Sequence, residues 1–363
     1  MENKKILLIE PYYGGSHKRF LDGLTTFVTG DYTLLSLPAR KWKMRMQLGA
    51  PWFIERVKSM AAGDRLFDIV LFSSFIDVAV FKAMAASVDG WNRQCKYFTY
   101  FHENQFSYPG FLDKQTNHQF TVINFTTALV SDSVAFNSEF NRTSFFKQSK
   151  KYLSKATDID LVDCLDQLVS KSVVLYPGLD FNELDQIDNV KDAGEDKLII
   201  WNHRWEHDKN PEEFFETLIQ LHDDNVDFRL CVLGENFKDI PACFTRAEGR
   251  LGERIVYFGY VEDRGDYHSY LRSGAIVVST SIHEFFGMSV IEAVRAGCLP
   301  VLPKRLSYPE LFDDSFLYEE GCLYEHLRHL LQTDTNLSIE QARQMTEPYS
   351  WKHLAAQYRQ WLH

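Results

Sequence analysis

At 363 residues the chain is too long for one ordinary core, so two domains are the expectation. A hydrophobic share of 45% with 14% aromatic residues excludes disorder, and a net charge of −11 excludes a general pull toward nucleic acid or membranes. Apolar runs are only strand-length, no secretory leader is expected from MENKKILLIEPYYGG, and the six scattered cysteines are expected to be reduced cytoplasmic thiols.

In chain order, strand-length apolar runs alternate with helix-like segments. KILLIE (5–10) ends at Pro11, Gly14 and Gly15 and is followed by the helical pattern of 17–28. YTLLSL, FDIVLFSS, KYFTYFH, LVSDSVAFNS (129–138) and KSVVLYPG are further strands, with helices predicted over 50–62, 75–88 and 140–153. The acidic, apolar-poor stretch 182–196 reads as a linker. A second series follows: the strands KLIIWNH, DFRLCVLGE, RIVYFGYV, GAIVVSTS and CLPVLP, with helices over 211–225, 266–274 and 288–297. Trp351, Leu354, Tyr358 and Trp361 recur at helical spacing near the C-terminus. Strands alternating with helices imply parallel βαβ units. The fold class is therefore α/β: two Rossmann-like domains, 1–180 and 181–345, facing each other across a cleft. Residues 346–363 are expected to form a helix that packs back on the first domain.

Chemistry concentrates where strands hand over to helices. In SIHEFFGMSVIEAVRAG, Glu284 lies in the loop after a strand and Glu292 about one turn inside the next helix. The amides around Phe286, Gly287, Met288 and Ser289 form a positive helix terminus suited to a phosphate or a sugar hydroxyl. Carboxylates accept the protons of vicinal hydroxyls. A first-turn glutamate can also merely favour the helix dipole. Arg204 and Lys209 lie in the loop between the strand ending at Trp201 and the helix beginning at Pro211. Two cations at a strand's carboxyl end suit a diphosphate leaving group, where a metal would otherwise stand. No cluster has metal-ligand spacing, so neither metal nor cofactor is expected.

These four residues, with YPGLDF (176–181), resemble the retaining, nucleoside-diphosphate-sugar-dependent glycosyltransferases of the GT-B fold, glycosyltransferase 4 type. The resemblance implies that Arg204 and Lys209 hold the donor diphosphate. Glu284 and the loop amides would contact the hexose, and Glu292 the ribose. It also implies front-face transfer, in which the leaving phosphate helps take the acceptor proton, so no separate general base is assigned. Catalytic roles then fall to Arg204, Lys209, Glu284 and His102.

In the first domain Gly14 and Gly15 would let the backbone approach the donor phosphates, with Ser16, His17 and Lys18 opening the next helix; Ser16 as a simple cap is the plain alternative. His102, Glu103, Asn104 and Gln105 follow an aromatic-rich strand and are expected to point into the cleft. A histidine at this place approaches the transferred sugar in the resembled family; a buried core histidine is the alternative. EPYYGGSHKRF, LPARKWKMR, FHENQFSYP and VAFNSEFNR resemble a narrower family, the tRNA-queuosine mannosyltransferases. That resemblance implies GDP-mannose as donor and queuosine in aspartate tRNA as acceptor. The acceptor residues would be His17, Glu103, Asn104 and Gln105 with the basic cluster Arg40, Lys41, Trp42, Lys43 and Arg45. Such a cluster could grip phosphate and stack a splayed base, or be only a solvated helix face. Arg142, Lys147, Lys150 and Lys151 are further basic candidates, and 233–237 and 258–263 are places for the donor base. A lipid or small-molecule acceptor, or a GT-B-shaped binding module without chemistry, are the competing readings. The sequence leaves the oligomeric state open.

Overall fold

Short apolar runs form parallel strands here, and the amphipathic segments between them form the crossover helices. The computed structural model describes residues 4–107, 117–155, 158, 161–187, 197–235 and 240–363. The chain divides into two compact units, 1–179 with 351–363, and 180–350.

In the first unit the strands are β1 (Lys5–Tyr13), β2 (Asp31–Pro38), β3 (Ile69–Ser73), β4 (Lys96–Phe101), β5 (Ser133–Phe136) and β6 (Ser172–Val174). They make one parallel sheet in the order β2-β1-β3-β4-β5-β6. Its helices are α1 (Gly15–Phe27), α2 (Trp42–Ser59), α3 (Val78–Ala85), α4 (Asn117–Val130), α5 (Glu139–Leu153) and α6 (Val162–Ser170). Side chains alternate across the sheet. Leu7 and Ile9 pack with α2 and α3 on one face, while Ile6 and Leu8 pack with α1 on the other. Strand order reverses between β1 and β3, and doubly wound sheets open their binding crevice at such a reversal, beyond the strands' carboxyl ends.

Several predicted boundaries move. α2 begins at Trp42 rather than near residue 50, so Lys43 and Arg45 lie in its first turns, with Arg40 and Lys41 just before it. Residues 129–130, read as strand, close α4, which the sequence reading missed, as it missed α6. The C-terminal helix returns to this unit. Its Trp351, Leu354 and Tyr358 are buried with Phe20, Leu24 and Tyr100. Two glycines make room for the indole: a Cβ would lie 1.8 Å from Trp351 Nε1 at Gly23, and 2.3 Å from Trp351 Cδ2 at Gly178.

The second unit holds β7 (Leu198–Trp201), β8 (Arg229–Leu233), β9 (Ile255–Gly259), β10 (Ile276–Val278), β11 (Leu299–Pro303) and β12 (Leu317–Tyr318). They form a parallel sheet in the order β12-β11-β10-β7-β8-β9, which reverses between β7 and β10. The helices are α7 (Asn182–Asp185), α8 (Pro211–Asp223), α9 (Cys243–Leu251), α10 (Arg264–Ser273), α11 (Met288–Arg295), α12 (Tyr308–Leu311), α13 (Leu323–Leu331) and α14 (Ile339–Thr346), with α15 (Trp351–Leu362) being the helix that rejoins the first unit. The start of the expected linker is instead α7, whose Asp185 receives two hydrogen bonds from the Arg295 guanidinium at 2.9 and 2.7 Å. The rest, 188–196, lies outside the described residues. Among the described residues no helix is long and apolar enough to cross a membrane.

Candidate functional site

In the second unit the loops after β7 and β10 flank the strand-order reversal and are joined to each other. Thr280 Oγ1 donates to the carbonyls of Lys209 and Asn210, both at 2.9 Å. The amides of Ile282 and His283 donate to Asp208 O at 3.0 and 3.2 Å. This brings Lys209, in a 3-10 turn before α8, against Glu284: Nζ lies 3.1 Å from Oε2, 2.9 Å from His283 O and 3.5 Å from Asp208 Oδ2. Lys209 is only 7% exposed. Burial disfavours its charge, yet Glu284 and Asp208 outweigh burial and raise its pKa. Burial likewise pushes Glu284 up, and Lys209 and His203 pull it below the usual carboxylate range. His203 falls to about 4 through burial and the Lys209 charge.

The other Glu284 oxygen accepts the amides of Phe285 and Phe286 at 3.1 and 3.3 Å. Gly287 then turns the chain into α11 with φ 95, a region that suits glycine. The amides of Met288 and Ser289 open that helix, where geometry gives the first turn no intrahelical acceptor. Glu292 lies in the next turn, 3% exposed. Arg204 stands beyond β7; its guanidinium reaches Glu206 at 3.0 Å and is half exposed, and its charge is felt by Lys209 and Asp208. The buried atoms Asn202 Oδ1, His203 Nε2 and Asp208 Oδ1 have no hydrogen-bond partner among the described residues. The sequence reading missed these three; their common signal is a run of polar residues straight after the apolar strand LIIW.

In the first unit Gly14, not Ser16, is the N-cap of α1, and no side chain caps it. A Cβ at Gly14 would lie 2.4 Å from Ala39 Cβ, whereas Gly15, at φ 51, faces open space. His17, the third residue of α1, meets a carboxylate on each ring nitrogen: Nδ1 is 3.1 Å from Glu10 Oε2 and Nε2 is 3.3 Å from Glu103 Oε2. Burial opposes its charge, but the two carboxylates prevail and raise it to about 10. Its ring lies between Phe75 and His102, with centroids at 5.2 and 4.0 Å. His102 is held well below its ordinary pKa by burial and by His17 beside it. Ligand atoms of Glu10, His17 and His102 lie within 4.8 Å of one another. Glu10 was not singled out from the sequence; an acidic residue closing an otherwise apolar strand was the available signal.

Two expectations for this unit are corrected. Asn104 is fully buried and bonds to Asn141 Oδ1 at 2.7 Å and Ser144 Oγ at 3.1 Å, so it fastens the loop to α5 instead of facing an acceptor. Gln105 is also buried, and its backbone N–H donates to Asn124 Oδ1 at 2.9 Å. Of the four residues after β4, Glu103 is the one that keeps appreciable exposure. Trp42 is not a free stacking platform. Because α2 starts at Trp42, Trp42 and Met46 share its inner face, and the indole packs on Phe75 and Phe120 at 5.6 and 5.2 Å. Arg40 and Lys41 are exposed, Lys43 and Arg45 half-buried, with Lys43 Nζ 5.7 Å above the Trp42 ring. Of the places expected to take the donor base, residues 236–237 lie outside the described residues.

Known proteins match both units. Residues 5–179 match the family described as tRNA-queuosine alpha-mannosyltransferase N-terminal, and residues 183–332 match glycosyl transferases group 1. A Drosophila melanogaster protein named tRNA-queuosine alpha-mannosyltransferase is 36% identical over 321 residues, covering 86% of this chain and 83% of the relative. Among solved structures, a glycosyltransferase from Rickettsia africae ESF-5 aligns over 100% of this chain and 99% of its own, with TM-score 0.67 and 18% identity. Anabaena Alr3699/HepE in complex with UDP-glucose aligns over 99% of both chains, with TM-score 0.70 and 15% identity. At that identity the likeness speaks for the fold alone, and the fold is GT-B. With a family match on each unit and 36% identity across most of both chains, this chain belongs to the tRNA-queuosine alpha-mannosyltransferase family of glycosyltransferases.

Proposed function

We propose that the protein transfers mannose, with retention, from GDP-mannose to queuosine in aspartate tRNA, in the cytoplasm and without a metal. The observation that carries the donor half is the buried Lys209–Glu284 pair at the strand-order reversal of the second unit. A lysine kept charged in a buried setting is a compact cation for a diphosphate. Arg204, on the same loop, adds a planar guanidinium able to engage two phosphate oxygens. Glu284, fixed by two loop amides, is poised for sugar hydroxyls, and the α11 terminus adds partial positive charge. Glu292 is assigned to the ribose. Together these groups stabilise the charge that develops as the bond from the sugar's anomeric carbon to the phosphate oxygen breaks. An acceptor hydroxyl oxygen forms the new bond, and its proton passes to the departing diphosphate.

The acceptor half is supported by the family and by the Drosophila relative's name. The test is a transfer assay with labelled GDP-mannose and UDP-glucose, offered tRNA with and without queuosine. Mannose appearing only on queuosine-containing tRNA is the expected result. Donor hydrolysis with no label on either tRNA would retain the glycosyltransferase and remove the RNA acceptor.

A further inference from the structure

The first unit carries a charge arrangement to which the donor chemistry described above gives no part. An imidazole with a carboxylate oxygen against each nitrogen must donate from both, so His17 is an imidazolium between Glu10 and Glu103. Its ring is packed between Phe75 and His102, which leaves it no freedom to turn toward a ligand. Glu10 is buried and committed: its second oxygen accepts the Tyr12 amide at 2.8 Å and Ser73 Oγ at 3.0 Å. Glu103 differs. Its Oε1 accepts Ser74 Oγ at 2.7 Å and its Oε2 meets His17, yet its side chain is 17% exposed. A carboxylate has about four acceptor positions, so Glu103 has capacity left.

Two carboxylates against one imidazolium leave one negative charge. Among the described residues, no lysine or arginine pairs with either glutamate. A second acceptor stands in the same cluster. His102 is 6% exposed and neutral, a ring nitrogen of it lies within 4.8 Å of the Glu10 and His17 ligand atoms, and no hydrogen bond to its ring is found among the described residues. The cluster lies at the carboxyl ends of β1, β3 and β4, beside the strand-order reversal.

We propose that Glu103, oriented by His17 and Ser74, receives a protonated amine of the acceptor and makes that amine a determinant of specificity. The proposal rests on the queuosine reading above. Queuosine carries its cyclopentenediol on a secondary amine that joins the ring to the deazaguanine. A protonated secondary amine has two N–H donors, one for the Glu103 carboxylate and one for the His102 imidazole. Charge-assisted bonds of this kind are the strong ones. The amine and the diol share one five-membered ring, so gripping the nitrogen orients the hydroxyls. A divalent metal fits less well, because both His17 nitrogens are spent on carboxylates and a metal needs one of them as a lone pair.

The test uses two synthetic anticodon stem-loop RNAs whose deazaguanine carries the cyclopentenediol through a secondary amine or through an ether oxygen. The wild-type protein is expected to favour the amine-linked RNA in kcat/KM by on the order of tenfold to a hundredfold. In Glu103→Gln the ratio falls toward one, and in Glu103→Asp, which keeps the charge, part of it returns. Thermal melting checks that both variants are folded. Equal use of the two RNAs by the wild type, or an undiminished ratio in Glu103→Gln, overturns the assignment. Donor hydrolysis with transfer to neither RNA instead removes the acceptor reading, and the assignment with it. Equilibrium dialysis adds a last check: one equivalent of Zn²⁺ retained by the wild type and lost in His102→Ala makes the cluster a metal site and overturns the proposal.

Discussion

Lys209 and Glu284, 75 residues apart in sequence, meet at 3.1 Å as an ion pair in which neither side chain is more than 19% exposed. Removing one partner of such a pair strands the other in a poorly solvated place. Lys209→Met leaves Glu284 and Asp208 without their nearest cation, and a loss of about 3–5 kcal/mol is expected. Glu284→Gln should cost less, because Asp208 still faces the lysine. The double variant should be more stable than the two single losses added together. Urea unfolding of all four proteins measures that coupling. Mannose transfer should be lost in every variant, which separates the pair's structural contribution from its chemical one.

Gly287 tests whether the loop amides matter as positioned groups. At φ 95 an alanine costs about 1–2 kcal/mol, and its Cβ would lie 3.2 Å from Tyr308 Cε1 and 3.8 Å from Glu284 Cγ. Gly297, at the other end of α11 with φ 101, is the control. Gly287→Ala and Gly297→Ala should lower the melting temperature by comparable amounts. Only Gly287→Ala should raise the KM for the donor sharply. Equal kinetic effects from both would mean the loop acts through stability alone.

The elements that carry Arg204, Lys209, Glu284 and Glu292 were legible because each is local. A strand, a loop with Arg204 and Lys209, and a helix follow one another within one stretch, and the same holds for Glu284, Gly287 and Glu292. What the sequence does not carry is pairing across distance. Nothing near His17 announces that Glu103, 86 residues on, will meet its other nitrogen. Nor does FHENQ reveal which of its polar residues turns inward; Asn104 does so because α5 presents Asn141 and Ser144 to it. The start of α2 was misread for a local reason. Lys41, at φ 55, precedes the helix without a side-chain cap, so no serine, threonine or aspartate marked the boundary.

The basic segment at the start of α2 remains the proposed grip on tRNA phosphate, now through Arg40 and Lys41 just before the helix and Lys43 in its first turn, without a stacking tryptophan. Replacing Arg40 and Lys43 with glutamate should weaken tRNA binding most at low salt. Each lost phosphate contact should reduce the slope of log K against log salt by about 0.7–0.9. Filter binding of tRNA from low to moderate salt measures the slope, and GDP-mannose affinity measured alongside should not move. An unchanged slope would place the RNA contacts on another surface.

The His17 cluster also predicts how stability depends on pH. The ring is raised from its ordinary 6.5 to about 10 in the folded protein, held there by Glu10 and Glu103 against the cost of burial. Below pH 6.5 both folded and unfolded chains bind the proton, and the stabilisation is fully present. Between 6.5 and about 10 only the folded chain keeps it, so the contribution declines as pH rises and is lost beyond the folded value. The groups facing the ring are Glu10 from β1, Glu103 and His102 after β4, Tyr12 and Phe75; of the charged ones, both carboxylates act in the same direction. The readout is the difference between wild type and His17→Gln, in which titrations elsewhere in the chain cancel. Urea midpoints at pH 6, 8 and 10 should show the wild type's advantage largest at pH 6 and shrinking toward pH 10. An advantage that stayed constant across that range would mean His17 is neutral in the fold, and the surplus charge assigned to Glu103 would have to be reckoned differently.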